Sequence, residues 1–304
     1  MNHAPDDRRA VSARAALLRR DAERIGGTLP PLLAEAERLA ATVQMGLHGR
    51  RKSGPGETFW QYRRAMPGDT LSDIDWRRSA RSDNLYVREM EWDAAQTVSI
   101  WADDARAMDY RGSAAVRTKR ERAELLALAL AVLLIRAGER VALLGTEASV
   151  ARPGESQLRR MAFELARERA DRPEYGAPPS QPPSRGGRAV FLSDFLGDSG
   201  ATSAALERAA RLAVSGCAVQ VLDETEETFP FDGRVLFESM GGTIRFETER
   251  ARALREAYQG RLADSRGALM KAVQMSGWRC LVHHTSESPR KALLWLYIAL
   301  GGLA

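Results

Sequence analysis

Short apolar segments alternate with helical patterns from residue 97 to residue 300, and this alternation constrains the fold more than any other feature. The segments 98–102, 140–145 and 189–193 are nearly continuous apolar runs, which are typical of strands buried on both faces of a parallel sheet. A stretch with the apolar period of a helix follows along the chain after each run. The sequence therefore predicts an α/β fold with a doubly wound, mostly parallel sheet and helices on both faces.

Composition divides the chain into three parts. Residues 1–29 are polar and basic, and we predict a flexible N-terminus. Residues 30–93 combine a predicted helix with a charged loop region, which we expect to form a small subdomain packed on the core. Residues 94–304 form the α/β domain, in which the segment around Gly241-Gly242 predicts a β-hairpin insertion. The Pro-, Gly- and Ser-rich stretch 171–187 is predicted to be an exposed loop of this domain.

The residue content narrows the class of protein. The 304 residues include two cysteines, Cys217 and Cys280, and each lies in an apolar run, which predicts core thiols that form neither a disulfide nor a metal site. No apolar run reaches the roughly 20 residues of a membrane span, and the N-terminus lacks an apolar signal region. We therefore expect a cytoplasmic protein without a membrane span. The net charge of +5 is spread along the chain, so it does not require nucleic acid as a partner.

Two of the predicted strands end at carboxylates. The run 98–102 stops at Asp103-Asp104, and the run 189–192 stops at Ser193-Asp194. Open α/β sheets bind ligands at the carboxyl ends of their strands. The two carboxylates are therefore expected at one edge of the sheet, where they could face a common ion.

The stretch from residue 62 to residue 91 is unusually rich in alternating charges. One interpretation is a set of structural Arg–Asp pairs, with Trp76 as an apolar anchor. The other is a metal site built from the aspartates. Arginine interleaved with aspartate suits ion pairing better than it suits collecting a cation, which favours the structural interpretation. The residues concerned are Asp69, Asp73, Asp75, Arg77, Arg78 and Arg81.

A long pattern in this stretch carries a family resemblance. It reads R-x-x-P-G-D-x-x-x-x-I-D-W-x-x-x-A-R and is followed by L-Y-V-R-E; its residues are Arg64, Pro67, Gly68, Asp69, Ile74, Asp75, Trp76 and Arg81. The pattern resembles the domain of unknown function family 58, whose members carry a von Willebrand factor A-like domain and are similar to partners of MoxR-type AAA+ ATPases in bacteria. The segment beginning at Leu222 resembles the D-x-x-E-x-x-x-P-x-x-G segment of the same family.

The resemblance implies a metal-ion-dependent adhesion site, with ligands from a D-x-S-x-S sequence, a threonine and a later aspartate. Asp103 and Asp194 match the two aspartates, whereas Ala105 and Ala107 stand where serine ligands are expected. Ser156, which we also expect to cap a helix, is a candidate for the threonine. We therefore expect a degenerate site and no firmly bound cofactor, although two carboxylates could hold Mg²⁺ weakly. The implied partner-binding face comprises Asp103, Asp104, Arg106, Ser193 and Asp194.

Three functions remain open from the sequence. The favoured one is a non-enzymatic interaction module, an adaptor or co-chaperone that links a MoxR-type AAA+ ATPase to an unknown protein client. No nucleophile–histidine–acid pattern or phosphate loop is evident, so we expect no enzyme. The alternatives are a metal-dependent hydrolase or nuclease using Asp69, Asp73 and Asp75, and a nucleic-acid-binding protein using the basic N-terminus and residues 50–52.

Overall fold

The computed structural model describes residues 30–47, 59–66, 74–81, 84–90, 95–114, 116–242 and 245–301. The chain forms two compact units, of which Leu47–Gln96 is one and Met1–Gly46 with Thr97–Ala304 is the other. The helix that begins at Pro30 thus groups with the sheet, whereas the sequence division placed it with the charged loop region. The predicted flexible N-terminus, residues 1–29, lies outside the described residues.

The helices and strands of both units are numbered here in chain order. The helices described are α1 (Pro30–Leu47), α2 (Trp76–Ser79), α3 (Lys119–Arg136), α4 (Glu155–Ala166), α5 (Ser199–Arg211), α6 (Glu224–Thr228), α7 (Arg255–Met275) and α8 (Pro289–Ala299). The strands are β1 (Phe59–Arg64), β2 (Tyr86–Met90), β3 (Thr97–Ala102), β4 (Arg140–Leu143), β5 (Arg188–Ser193), β6 (Ser215–Leu222), β7 (Val235–Glu238), β8 (Arg245–Thr248) and β9 (Arg279–His284). Short 3₁₀ helices cover Arg106–Asp109 and Ala251–Leu254.

A five-stranded parallel sheet forms the centre of the larger unit, with strand order β4-β3-β5-β6-β9. The predicted α/β class with a doubly wound parallel sheet is confirmed. The antiparallel pair β7–β8 confirms the hairpin insertion. The strand order reverses between β3 and β5, because the chain continues from β3 to β4 on one side and from β5 to β6 on the other.

Helices cover both faces of the sheet because the strand residues alternate between two apolar layers. Trp101, Phe191 and Trp278 pack in a core cluster with residues of α5 and α7, and the Phe191 and Trp278 ring centroids are 4.9 Å apart. The opposite layer contains α3, α4 and α8, of which α3 is buried along most of its length. None of the described helices combines the length and apolar character needed to cross a membrane.

Helix α3 begins where the sequence specifies a cap. The Thr118 hydroxyl accepts a hydrogen bond from the Glu121 N–H at 3.1 Å, and the Glu121 carboxylate accepts one from the Thr118 N–H at 2.9 Å. This reciprocal pair is a capping box, which satisfies two of the free N–H groups at a helix start. The helix ends before Gly138, whose φ of 88° reverses the chain. The cap fixes the position of Lys119, the first residue of the helix.

Residues 148–152 lie along the edge of the sheet beside β4. Val141 and Arg152 form one antiparallel bridge there, and the Leu143 N–H donates to the Ala148 carbonyl at 3.0 Å. The side-chain amide of Gln157 also joins this segment to β4, because it donates to the carbonyls of Val141, Ala148 and Val150 at 2.9–3.2 Å.

The smaller unit contains the antiparallel pair β1–β2 and the short helix α2. Ile74 is buried with 8% exposure, whereas Trp76 is 57% exposed. The prediction that Trp76 is an apolar anchor is therefore wrong, since it is the first residue of a short helix and Ile74 takes the buried position. Pro67, Gly68, Asp69 and Asp73 lie outside the described residues.

Candidate functional site

The two predicted carboxylates, Asp103 and Asp194, lie at the carboxyl ends of the neighbouring strands β3 and β5. The Asp103 N–H donates to the Leu192 carbonyl at 2.9 Å and extends the ladder between these strands. This position is the point where the strand order reverses, and such a point opens the crevice in which doubly wound sheets bind ligands. The structure thus brings together the two strand ends that the sequence singled out.

Asp103 is buried with 2% exposure, and both of its carboxylate oxygens accept hydrogen bonds. The Ser193 hydroxyl donates to Oδ2 at 2.6 Å, and the Ala105 N–H donates to Oδ1 at 2.9 Å. Burial raises the pKa of Asp103 from its usual 3.8 to about 6, although these two hydrogen bonds oppose the rise; repulsion from Asp194 and Asp104 adds to it. Asp103 is therefore an enclosed carboxylate that organises the turn after β3.

The Pro-rich stretch 171–187 covers this carboxylate. The backbone carbonyls of Pro173 and Glu174 accept hydrogen bonds from the N–H groups of Arg106 and Ala107 at 2.9 and 2.8 Å. At Gly176, a Cβ atom would collide with the Asp103 carboxylate. Pro173 and Tyr175 are exposed, as expected of a surface loop, while the backbone of residues 173–176 packs on the candidate site.

Asp194 is neutralised by Lys119. The Lys119 ammonium group donates to Asp194 Oδ2 at 2.8 Å and to Glu226 Oε1 at 2.6 Å, and its side chain is 1% exposed. Burial alone would lower the pKa of Lys119, but attraction to Asp194 and Glu226 outweighs burial and raises it. Burial raises the pKa of Glu226, although the nearby Lys119 charge opposes the rise. We call these three residues the Lys119 cluster.

Glu226 reaches the cluster from the second family-like segment, D-x-x-E. Asp223 caps α6 by accepting from the Thr225 N–H at 2.9 Å, and the Asp223 N–H donates to Glu226 Oε2 at 2.9 Å. Asp223 also accepts from the Gly112 N–H at 2.9 Å. The segment therefore directs one carboxylate to the lysine and ties the turn after β6 to the turn after β3.

Sequence reasoning did not identify Lys119 or Glu226 as site residues. A signal was present in the position of Lys119, which directly follows the helix cap Thr118. A cation at a helix N-terminus opposes the helix dipole, so a lysine in the first turn calls for a carboxylate partner. The identity of that partner could not be read from the sequence, because Asp194 and Glu226 lie 75 and 107 residues away.

The donor set does not suit a divalent cation. Besides the two oxygens of Asp103, both oxygens of Asp194 are engaged, since Oδ1 accepts from the Leu196 N–H at 3.0 Å and Oδ2 binds Lys119. Ala105 and Ala107 contribute backbone N–H groups and offer no side-chain oxygen, whereas Mg²⁺ requires oxygen ligands. Among the described residues, no group of three or more His, Cys, Asp or Glu could hold a metal ion.

Ser156, the candidate for the threonine ligand, lies in the first turn of α4 and is exposed. Glu164, near the other end of α4, lines the cavity beside Asp103. Ser156 lies eight positions before Glu164, which corresponds to about 12 Å along the helix axis. Ser156 is therefore at the end of α4 away from this cavity. Ser156 also does not cap α4, because Gly154 occupies the cap position with a φ of 83° and no side-chain hydrogen bond.

Three residues of the predicted partner-binding face, Asp103, Ser193 and Asp194, are buried with 1–2% exposure. Asp104 is half-buried and belongs to a charged rim beside the Lys119 cluster. Asp104 pairs with Arg169 at 3.1 Å, and Asp109 pairs with Arg120 at 2.8 Å and with Arg172. Burial alone would raise the pKa of Asp109. The hydrogen bond from Arg172 and the charge of Arg120 outweigh burial, so the pKa is lowered. These contacts hold the turn after β3 in one conformation.

The Lys119 cluster forms the floor of an open cavity of about 510 Å³. Its walls include Tyr110, Tyr175, Met240 and Tyr258. The cavity lies at the carboxyl edge of the sheet, between the turn after β3, the β7–β8 hairpin and α7. A partner that enters it would meet tyrosine rings and a floor in which Lys119 is hydrogen-bonded to two carboxylates.

Asp75, the described member of the predicted aspartate trio, has a structural contact in the smaller unit. Its carboxylate accepts from the Arg78 N–H at 2.9 Å and caps α2. Arg64 ends β1, and Arg81 follows α2 with an exposed side chain. The Arg78 guanidinium lies over the Tyr86 ring at 5.5 Å from its centroid.

These features define a class of protein: an α/β protein whose parallel sheet carries a buried lysine–carboxylate cluster at its switch point. Residues 61–268 match the model of the family described as "Protein of unknown function DUF58". The chain belongs to this family, which confirms the resemblance drawn from the pattern between Arg64 and Arg81 at the level of the family.

Relatives of this chain are similar over most of their length. Uncharacterized protein Rv1480 of Mycobacterium tuberculosis is 27% identical over 267 residues, covering 82% of this chain and 83% of the relative. Uncharacterized protein Mb1516 of Mycobacterium bovis gives the same values. Among solved structures, the conserved hypothetical protein BatB from Bacteroides thetaiotaomicron aligns with 68% of this chain and 100% of its own chain, at a TM-score of 0.38 and 13% identity.

Proposed function

We propose that this chain is a non-enzymatic, cytoplasmic protein-interaction module with a von Willebrand factor A-like fold, working as an adaptor or co-chaperone of a MoxR-type AAA+ ATPase. The observation that carries the proposal is the Lys119 ammonium group, which lies between Asp194 and Glu226 at hydrogen-bonding distance. The ligand crevice of the sheet thus holds a covalently attached cation. Recognition at this edge is then independent of a divalent metal.

Lys119 cross-links neighbouring segments of the chain, as a bound metal ion would. It joins the first turn of α3, the end of β5 and α6 through two charge-assisted hydrogen bonds, which are among the strong ones in proteins. The turns that surround the cluster are held in place before any partner arrives, and a preorganised surface loses less entropy on binding. In the described part of the smaller unit, Asp75 caps a helix, which lends no support to the hydrolase alternative.

The test is affinity capture of the tagged full chain from its own cell lysate, in Mg²⁺ and in EDTA, with mass spectrometry of the bound proteins. We expect a MoxR-type ATPase under both conditions. Retention only in Mg²⁺ would contradict the built-in cation, and the absence of an ATPase under both conditions would refute the adaptor role.

A matched pair of variants links the capture to the predicted face. Asp104→Lys reverses a half-buried carboxylate that pairs with Arg169 on the face. Glu207→Lys reverses an exposed carboxylate that pairs with Arg211 on α5. We expect Asp104→Lys to reduce ATPase capture and Glu207→Lys to leave it unchanged. Equal capture by both variants would place the contact surface elsewhere.

A further inference from the structure

A second cavity adjoins the Lys119 cluster. It measures about 570 Å³, and we call it the aromatic cleft. Its walls are the rings of Phe229, Phe231, Phe237, Phe246 and Tyr258, which come from the turn after α6, the β7–β8 hairpin and α7. The proposed function rests on the charged face and the cluster and does not use this cleft.

The walls of the cleft are formed before any ligand binds. The Phe229 ring centroid lies 5.2 Å from that of Phe231, 5.7 Å from that of Phe237 and 5.0 Å from that of Tyr258. Phe229 is 5% exposed and has a φ of 44°, a left-handed conformation that a bulky residue adopts only when its surroundings hold it there. Such a preformed apolar cavity is the usual form of a ligand site.

The open side of the cleft combines exposed apolar surface with a cation. Phe246 is 51% exposed and lies at its mouth. Arg261, an exposed residue of α7, lines both the cleft and the cavity above the Lys119 cluster. Within the described part of the chain, no carboxylate forms an ion pair with Arg261, whereas Arg255 and Arg266 beside it bind Phe229 and Glu227. Glu226 also lines the cleft, but its carboxylate accepts hydrogen bonds from Lys119 and from the Asp223 N–H.

We propose that the aromatic cleft binds an acidic segment of a partner protein, with a large apolar side chain among the phenylalanine rings and an adjacent carboxylate paired with Arg261. This proposal rests on the proposed function, because it names the chemistry of the partner that the module recognises. Charge complementarity selects the occupant: an apolar side chain alone would leave Arg261 uncompensated, and aromatic and arginine residues are the usual hot spots of interfaces.

The test uses the full chain and fluorescein-labelled synthetic peptides, with binding followed by fluorescence anisotropy. The probe peptide places a phenylalanine between two aspartates. One comparison peptide has serine for the phenylalanine, and another has asparagine for the aspartates. We expect the probe peptide to bind about tenfold more tightly than either comparison peptide. Equal binding of the serine peptide would refute the apolar contact, and equal binding of the asparagine peptide would refute the carboxylate contact.

Matched variants locate the peptide on the protein. Phe246→Ser and Arg261→Glu each change an exposed residue of the cleft, so neither should unfold the chain, which thermal unfolding would verify. Met275→Ser changes a residue of α7 that is 80% exposed outside the cleft, and Arg290→Glu changes an exposed arginine of α8. We expect the cleft variants to weaken binding by about tenfold and the controls by less than about twofold.

A charge swap gives the strictest outcome. The Arg261→Glu protein should bind a peptide with lysines in place of the aspartates better than the unmodified protein does. If the swap has no effect, the carboxylate does not pair with Arg261 and the proposal fails. If Phe246→Ser instead abolishes a concentration-dependent dimer seen by sedimentation, a second copy of the chain occupies the cleft and the proposal also fails.

The two proposals fail in different ways. If the peptide does not bind but the ATPase is captured and lost in Asp104→Lys, the cleft proposal falls and the proposed function stands. If the peptide binds through Arg261 but no ATPase is captured, the adaptor role falls and the cleft remains a recognition site.

Discussion

Lys119 is the residue on which the geometry of the candidate site depends. Removing a lysine from water costs several kcal/mol, and only well-placed carboxylates offset that cost. Asp194 and Glu226 do so at 2.8 and 2.6 Å. The three residues form one electrostatic unit, and the loss of any member leaves buried charge without compensation.

We predict that Lys119→Met lowers the free energy of unfolding by about 3–5 kcal/mol at neutral pH. Asp194 and Glu226 would remain buried next to each other without the cation that neutralises them. Urea denaturation followed by circular dichroism measures the change. Adding Glu226→Gln to this variant should restore part of the loss, because it removes one of the stranded charges. A single variant as stable as the unmodified chain would show that the cluster is not buried.

The pKa of Asp103 predicts a pH dependence of stability. Its folded pKa of about 6 lies above the usual 3.8, so the folded chain holds the proton more tightly than the unfolded chain does. This contribution is complete below about pH 4 and is lost as the pH rises through about 6. We predict that unmodified protein loses on the order of 3 kcal/mol of unfolding free energy across this window relative to Asp103→Asn.

Urea denaturation of both proteins from pH 4 to pH 7 measures this difference. Ser193→Ala provides an internal check, because the Ser193 hydrogen bond lowers the pKa of Asp103. Without it, the loss of stability should extend to higher pH. Parallel stability curves for the unmodified chain and Asp103→Asn would contradict a raised pKa.

At the scale of elements, local sequence signals predicted most of the larger unit. The apolar runs around Ile100 and Val190 became strands β3 and β5, and the apolar period after Thr118 became α3, because burial on a sheet or helix face leaves a regular pattern. Long-range contacts left no such pattern. The packing of Gly176 on Asp103 and the pairing of Lys119 with Glu226 join segments far apart in the chain, so neither was predicted.

The Pro-rich stretch provides an element-scale prediction. Gly176→Ala should destabilise the chain by about 1–3 kcal/mol, because its Cβ would collide with the Asp103 carboxylate. Gly260→Ala is the matched control, since nothing lies within 4 Å of a Cβ at this position of α7. That change should stabilise the chain by up to about 1 kcal/mol through helix propensity. Thermal and urea unfolding measure both, and equal effects would show that residues 173–176 do not cover the site.

At the scale of the whole molecule, the fold and the family pattern belong to different units. The sheet, both helix layers and the Lys119 cluster are formed within residues 97–301, whereas Ile74, Asp75 and Trp76 lie in the unit Leu47–Gln96. The core cluster that contains Trp101 and Trp278 draws all its residues from the larger unit. The stability of the sheet therefore has its source in that unit.

We predict that replacing residues 48–95 by a flexible glycine–serine linker leaves the larger unit folded. Its core cluster is complete without them, and the Arg117–Glu35 pair between α1 and the segment before α3 involves no residue of the smaller unit. Near-ultraviolet circular dichroism should retain the signal of packed tryptophans, and urea unfolding should remain cooperative. A non-cooperative transition would mean that the family pattern completes the core.

If the linker variant folds but no longer captures the ATPase, the smaller unit contributes to recognition. If capture persists, the Lys119 cluster and the face around Asp104 are sufficient for recognition.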